Sequence, residues 1–151
     1  MPTMFEVIVS YFDGDSWPVQ LVEGETALRS AFQGDSGSWT CYAKARSEFE
    51  QFVFYSLCPV TVPEDKRPAA AEFITRANYG MIVGNFEMDY SDGEIRYKTA
   101  IDVEGTELTL PLCRQVVVPN VMMMDRYLPG LMAVVFGDVT PAQAIARIEK
   151  N

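Results

Sequence analysis

Glu87 and Asp89 have the residue types and the spacing that come closest to a catalytic pair. Two carboxylates at positions i and i+2 of a strand lie on one face, where they could act as general acid and base or share a metal ion. The dipeptide Asp92-Gly93, however, is typical of a two-residue type I′ hairpin turn. With that turn, Asp89 lies opposite Arg96. Glu87 then lies opposite Lys98. Because a basic partner keeps each carboxylate ionised, we interpret both as structural ion pairs rather than as a dyad.

Other reactive groups are scarce. The sequence contains no histidine, so the commonest general base and metal ligand is missing. The three cysteines, Cys41, Cys58 and Cys113, have no metal-binding spacing and lie among apolar or β-branched residues, which predicts buried, reduced thiols. The stretch Gly80–Gly84 follows a predicted helix and precedes a strand, the reverse of a phosphate-binding loop, so we interpret it as a connector. We therefore expect no catalytic residue, no bound metal and no cofactor.

The composition indicates one globular domain. The chain has 151 residues, and 48% of them are apolar, which is enough for a hydrophobic core. The formal net charge of −9 disfavours nucleic acid as a partner, and the basic residues are scattered, with no aromatic–basic stripe. The longest apolar stretch, residues 116–136, contains Asp125 and Arg126, which argues against a membrane span. We predict a cytoplasmic protein without a secretory signal that binds neither nucleic acid nor membrane.

The hydrophobic patterns predict an α+β domain over residues 3–150, in which an antiparallel sheet packs against helices. The elements follow the order α-β-β-β-α-β-β-α(α). After a first helix from residue 4, the patterns predict strands at 27–33, 39–46 and 50–58, a helix at 64–79, a hairpin at 85–100, a helix at 109–136 and a last helix from 141. Residues 19–22 could add an edge strand.

Particular residues mark where these helices begin and where they are interrupted. Thr3 and Glu6 have the spacing of a capping box, and Thr140 has the same role for the last helix. Pro119 and Pro129 lie inside the long helix. Because proline removes a backbone hydrogen bond, we expect kinks or a break there.

The long helix carries more apolar side chains than one contact face can bury. Met122–Met124 span about 200° of its circumference at 100° per residue, so at least one of them must face a second surface, which could be another helix, a partner or solvent. Methionine side chains are flexible and adapt to varied partners. We take the candidate partner-binding residues to be Val118, Val121, Met122, Met123 and Met124. Either a second copy of the chain, forming a homodimer, or the N-terminal helix with Phe5, Ile8 and Phe12 could cover this surface.

Two other function classes remain open. The first is a small-molecule sensor with a pocket lined by Trp17, Trp39, Tyr42 and Phe54, although aromatic residues of this kind more often pack in a core. The second is an enzyme built on carboxylates alone, which needs two unpaired acids in one cleft. The predicted hairpin register argues against it.

Four segments give the chain a family resemblance: Ala77-Asn78-Tyr79-Gly80, Gly84-Asn85-Phe86-Glu87, Asp92–Lys98 and Asp125–Met132. Together they resemble the bacterial YbjN-domain family over roughly residues 3–149, most strongly after residue 65. The resemblance implies a regulator of sensory transduction with a fold similar to that of type III secretion chaperones. It brings no catalytic residues. The main hypothesis is therefore a non-enzymatic regulatory or chaperone-like protein that acts by binding another protein.

Overall fold

The structure is a computed structural model that describes residues 1–150. This part of the chain forms four α-helices and six strands. The elements are α1 (Met4–Gly14), β1 (Val19–Leu21), β2 (Ala27–Gln33), β3 (Ser38–Arg46), β4 (Gln51–Leu57), α2 (Arg67–Asn78), β5 (Asn85–Asp89), β6 (Glu94–Asp102), α3 (Leu110–Phe136) and α4 (Pro141–Glu149). The predicted α+β order is confirmed, and the stretch at 19–22 does form an edge strand.

All six strands join one antiparallel sheet in the order β1-β2-β3-β4-β6-β5. Short turns connect β2, β3 and β4, so these strands form a meander. The β5–β6 hairpin follows α2 and adds to the sheet through β6, which pairs with β4. The neighbouring strands β4 and β6 lie beneath the long helix α3.

Alternation along β3 shows how the sheet divides into two faces. Trp39, Cys41 and Ala43 are buried, whereas Thr40 and Tyr42 between them are only partly covered. We call the buried side the inner face. Helices α1, α2 and α3 pack against it and complete the hydrophobic core. The opposite side is called the outer face.

Helix starts follow the predicted capping boxes. The Thr3 hydroxyl accepts the Glu6 N–H at 3.1 Å, and the Glu6 carboxylate accepts the Thr3 N–H at 2.8 Å. Thr140 and Gln143 repeat the arrangement at α4. Each box satisfies donors that the first turn of a helix leaves without partners.

The β5–β6 hairpin has a different register from the predicted one. Glu87 pairs with Arg96 and Asp89 pairs with Glu94, so the loop has four residues instead of two. The cause is the Asp89 side chain, which accepts the Ser91 N–H at 2.9 Å and favours a wider turn. Because the register moves by two residues, every side chain keeps its predicted face.

The two prolines do not break α3, which is continuous over 27 residues. Pro129 leaves the Asp125 carbonyl without its helical donor, and the Ser36 hydroxyl donates to that carbonyl instead, at 2.7 Å. Pro119 likewise leaves the Gln115 carbonyl without its helical donor. Gln115 is exposed, so water can hydrogen-bond to that carbonyl. Of the two outcomes expected, kinks or a break, the break does not occur. At Pro129 a donor outside the helix replaces the lost hydrogen bond.

A buried asparagine fixes α3 to the sheet. The Asn120 side-chain amide donates to the carbonyls of Phe54 and Tyr97 at 2.9 and 3.1 Å, and to the Thr99 hydroxyl at 3.1 Å. Thr99 in turn donates to the Val116 carbonyl at 2.6 Å. These bonds join α3 to β4 and β6 and set which of its sides faces away from the sheet.

Side chains hydrogen-bond to backbone groups at the edges of the sheet, which prevents another strand from pairing there. The Asn78 amide both donates to the Phe86 carbonyl and accepts the Phe86 N–H, at 3.0 and 2.7 Å. At the other side of the sheet, the Trp17 indole donates to the Ala31 carbonyl at 3.1 Å. Occupied backbone groups are not free to pair with another strand, so side-chain surfaces are better candidates for binding.

Candidate partner-binding surface

Three consecutive methionines of α3 face three different environments. Met124 is fully buried in the core, and Met123 is half-buried. Met122 is 63% exposed. The prediction that at least one of them faces a second surface is therefore confirmed, and it follows from the 100° rotation per helical residue.

Met123 borders a groove of about 440 Å³ between α3 and the connector that joins α2 to β5. The connector side of the groove is formed by residues 79–83, and the α3 side by Pro119, Met123 and Arg126. Tyr79 and Ile82 are 90% and 93% exposed. Large apolar side chains this exposed are unusual for a monomer when they lie next to one another.

The backbone holds this connector in place even though its side chains are exposed. Gly80 and Gly84 have φ angles of +88° and +79°, a region that L side chains rarely adopt, and they turn the chain at both ends. The Tyr97 hydroxyl donates to the Val83 carbonyl from β6. The connector therefore presents Tyr79 and Ile82 from a fixed backbone.

The floor of the groove has little reactive chemistry. The Tyr127 hydroxyl donates to the Glu149 carboxylate at 2.9 Å. Burial raises the pKa of Tyr127, and the hydrogen bond to Glu149 raises it further, so the phenol stays protonated. The groove suits apolar contact with a protein segment rather than catalysis.

The predicted partner-binding residues separate into core and surface. Val121 and Met124 are buried in the core, where neither can contact a partner without unfolding. Val118 is half-buried and lies one turn from Met122, on the side of α3 that faces away from the sheet. Helix α1 packs against another part of α3, so the N-terminal helix does cover some of its apolar surface.

Apolar residues nevertheless line the side of α3 that faces away from the sheet, interrupted once by Asp125. Val118, Met122, Pro129 and Phe136 follow one another at spacings of four and seven residues, which place them on one side of a helix. Met122 and Phe136 are both more than half exposed. We call these four residues the α3 stripe. It is adjacent to the groove but is a separate surface.

The carboxylates of the hairpin form no catalytic pair. Glu87 accepts hydrogen bonds from Arg96 and, at 3.1 Å, from Lys98. Partial burial alone would raise the pKa of Glu87, but the bonds from Arg96 and Lys98 outweigh it and lower that pKa. The predicted Asp89–Arg96 pair was wrong, since Asp89 instead accepts from the Ser91 hydroxyl and N–H, which lower its pKa.

The predicted aromatic pocket is also wrong. Trp39 and Phe54 are buried on the inner face, and Trp17 packs against Phe54 with ring centroids 6.3 Å apart. Tyr42 lies on the outer face, on the other side of the sheet. The four residues therefore share no cavity, because strand alternation separates Tyr42 from the others.

The cysteines are free and buried, as predicted. Burial raises the pKa of Cys41 and of Cys113 to about 11, and it also raises the pKa of Cys58. These thiols are poor nucleophiles at neutral pH. Within residues 1–150, no cluster of His, Cys, Asp and Glu could hold a metal ion. None of the described helices is long and apolar enough to cross a membrane.

Sequence reasoning identified the connector at 80–84 but missed its role as a surface. The available signal was three apolar residues, Met81–Val83, between two glycines. Glycines at a helix-to-strand turn are consistent with an exposed connector. What the sequence could not show is that Met123 of α3 lies beside it.

A comparison with protein-family models matches residues 5–133 to the YbjN family, described as "Putative bacterial sensory transduction regulator". The chain belongs to the YbjN family. Solved structures agree on the fold. YbjN from E. coli, described as "a putative transcription regulator", has a TM-score of 0.59 at 10% identity, covering 97% of this chain and 92% of that one.

Two protein complexes contain chains with the same fold. The HopA1–SchA chaperone–effector complex gives a TM-score of 0.51 at 11% identity, covering 82% of this chain and 91% of the other. The ExsC–ExsE complex gives 0.54 at 12% identity, covering 83% and 90%. At these identities the likeness shows the fold alone. Among curated proteins, no sequence matches this chain significantly.

The segment 125–132 shows what the YbjN-like residues do in this chain. Asp125 binds the β2–β3 turn through its carboxylate. Gly130 lets α4 and α2 approach α3, since a Cβ there would lie 2.4 Å from Ile148 Cδ1 and 3.0 Å from the Phe73 ring. These family-like residues therefore maintain the packing, and they bring no reactive group to a site.

Proposed function

We propose that this YbjN-family chain is a non-enzymatic regulatory or chaperone-like protein that acts by binding another protein. The observation that carries the proposal is the groove, where the exposed Tyr79 and Ile82 lie across from Met123. Burying such side chains in a complex gains roughly 25 cal/mol for each Å² of apolar surface removed from water. The three free, buried cysteines fit a reducing compartment such as the cytoplasm.

Structural neighbours support this proposal by analogy. One relative in fold is a component of a chaperone–effector complex, and another was solved as a complex of two proteins. Fold alone does not determine function, so the argument depends on the groove itself. A rigid connector on one side and a flexible methionine on the other suit an apolar protein segment.

Affinity capture from native cell extract tests the proposal. Wild-type protein should retain at least one specific protein, and Ile82→Asp should lose it, because a charge in the groove opposes apolar burial. Leu21→Asp is the matched control. Leu21 is also highly exposed, 67%, but lies on β1 at the far edge of the sheet. Equal capture by wild type and Ile82→Asp would contradict the role of the groove.

Homodimer formation through the α3 stripe is a second candidate. The stripe extends along a helix about 40 Å long at 1.5 Å per residue, and Met122 and Phe136 project from it. A second copy of the chain could bury this row by antiparallel helix packing. Light scattering at micromolar concentration should then give twice the monomer mass of 16.9 kDa. Met122→Asp should return the mass to that of the monomer without unfolding, and a wild-type mass of 16.9 kDa would contradict the dimer.

A further inference from the structure

On the outer face of the sheet, strands β1 to β4 carry only positive charge, whereas β5 and β6 carry both signs. The chain contains 21 Asp and Glu residues, yet strands β1 to β4 contain none. Their three cations, Arg29, Lys44 and Arg46, all lie on the outer face. Ala27 and Val53 also point to the outer face. They are buried but do not belong to the core cluster, as expected for a face that no helix covers.

Cross-strand pairing collects the central residues of this face into one row. Arg29 pairs with Tyr42, Tyr42 with Tyr55, and Tyr55 with Lys98. Neighbouring strands lie about 4.8 Å apart, so the row spans about 14 Å. The spacing along the sequence gave no sign of it, because the four residues come from four different strands.

Part of the positive charge on this face has no partner within the protein. Arg29 makes no ion pair or side-chain hydrogen bond with residues 1–150. Arg46 donates to the neutral Gln51 side chain at 2.8 Å, and Gln51 in turn donates to the Asp102 carboxylate at 3.0 Å. Lys44, by contrast, lies 3.6 Å from the Glu25 carboxylate. The region around β2 and β3 therefore has an excess of positive charge in a protein of net charge −9.

The other end of the row is nearly balanced. Arg96 and Lys98 share the carboxylate of Glu87. Asp89 and Glu94 lie on the same face by register, so no excess of positive charge remains at this end. The Arg96 guanidinium also lies over the Tyr55 ring, 4.2 Å from its centroid. One face of Tyr55 is therefore occupied, and Tyr42 is the ring that remains available beside Arg29.

From this arrangement we propose that the outer face around Arg29, Tyr42 and Arg46 binds an acidic segment of a protein partner. The inference rests on the proposed protein-binding function and specifies the chemistry of the partner. Arg46 lies four residues beyond Tyr42 on β3, so the segment would run along β3, with one carboxylate at Arg29 beside Tyr42 and another at Arg46. Charge complementarity of this kind selects partners and speeds their encounter.

A nucleic acid fits this face less well than a short acidic peptide. A polynucleotide carries its phosphates well beyond a 14 Å row, and they would meet the acidic remainder of the surface. Stacking of successive bases also needs several free aromatic faces, and Arg96 already covers Tyr55. A peptide can confine its carboxylates to the positive region.

Fluorescence anisotropy with defined probes tests the proposal. The probe is a fluorescein-labelled peptide of alternating Glu and Ser, about as long as the row, with a Gln–Ser peptide as the neutral control. Wild-type protein should bind the Glu–Ser peptide more tightly than the Gln–Ser peptide. Added salt should weaken the binding, since the Debye length falls below about 10 Å above 0.1 M.

Charge reversal locates the site. Arg29→Glu should weaken Glu–Ser binding by about tenfold, because it places like charges together. Arg114→Glu, the same change on the exposed start of α3, should leave it unchanged. Ile82→Asp should also leave it unchanged, so a failure of the groove proposal is distinguishable from a failure of this one.

Several results would overturn the assignment. One is the absence of any preference for the Glu–Ser peptide over the Gln–Ser peptide. Others are equal weakening of Glu–Ser binding by Arg29→Glu and Arg114→Glu, and loss of that binding in Ile82→Asp. Tighter binding of a single-stranded oligothymidylate of similar length would assign the face to nucleic acid instead. Circular dichroism of each variant confirms that these comparisons are made on folded protein.

Discussion

The Asp125 carboxylate, in the middle of α3, accepts the Ser36 N–H of the β2–β3 turn at 2.8 Å across 89 residues of sequence. It also accepts the Asp35 N–H at 3.1 Å. Ser36 returns a bond by donating its hydroxyl to the Asp125 carbonyl, which Pro129 has left free. One aspartate therefore stabilises a sheet turn and a proline-containing helix together.

Removing this carboxylate should destabilise the fold. Asp125→Ala leaves two backbone donors of the turn without their partner, and we expect the free energy of unfolding to fall by about 2 kcal/mol. Urea denaturation measures the change. Asp13→Ala is the matched control, since Asp13 is an exposed helical residue with no side-chain hydrogen bond or ion pair among residues 1–150. Equal stability of the two variants would show that Asp125 is not a structural link.

The hairpin loop gives a second test through two glycines of similar conformation. Gly93 and Gly105 have φ angles of +82° and +78°, so alanine at either position should cost about 1 kcal/mol of backbone strain. A Cβ at Gly93 would also lie 2.2 Å from the Val62 carbonyl oxygen, whereas Gly105 has open space. Gly93→Ala should therefore melt at a lower temperature than Gly105→Ala. Matching melting temperatures would contradict the close packing of Gly93 against the Val62 carbonyl.

Stability should depend on pH through Glu87. Its pKa in the folded protein is lowered from the ordinary 4.5, so the stabilisation is complete above about 4.5 and is lost as the pH falls through the folded-state value. Glu87→Gln should lower the free energy of unfolding at neutral pH, and its difference from wild type should shrink toward pH 3. Denaturation curves at both pH values measure this. A stability difference between Glu87→Gln and wild type that stays constant with pH would rule out a role for the ionised carboxylate. Glu104→Gln, on an exposed turn, is the control.

Native cysteines should resist thiol reagents. Burial raises the pKa of Cys41 and Cys113 to about 11, and it also raises the pKa of Cys58, so few thiolates exist at pH 8. Reaction with Ellman's reagent should be slow in native protein and should reach three thiols per chain in guanidinium chloride. Fast native labelling of even one thiol would contradict the packing around it.

Local signals predicted the elements of this fold well. Thr3 and Glu6 set the start of α1 because a capping box acts within one helical turn. The strand predicted at 39–46 is β3, where successive residues point to opposite sides of the sheet. Both rules depend only on neighbouring residues, so the sequence contains all the information they need.

Features that depend on competition or on distant contacts could not be predicted in the same way. The hairpin register differs from the predicted one because the Asp89 side chain stabilises a wider turn than Asp92-Gly93 alone would favour. The helix stayed intact at Pro129 because Ser36, far away in sequence, supplies a donor. The groove could not be predicted for the same reason, since only the folded chain brings Ile82 and Met123 together.

Photo-crosslinking in native cells tests the central claim, protein binding through the groove, most directly. Benzoylphenylalanine would replace Ile82 in one variant and Leu21, the exposed residue at the far sheet edge, in another. A discrete protein adduct is expected from position 82, with little or none from position 21. The absence of an adduct at position 82, or equal adducts at both positions, would contradict it.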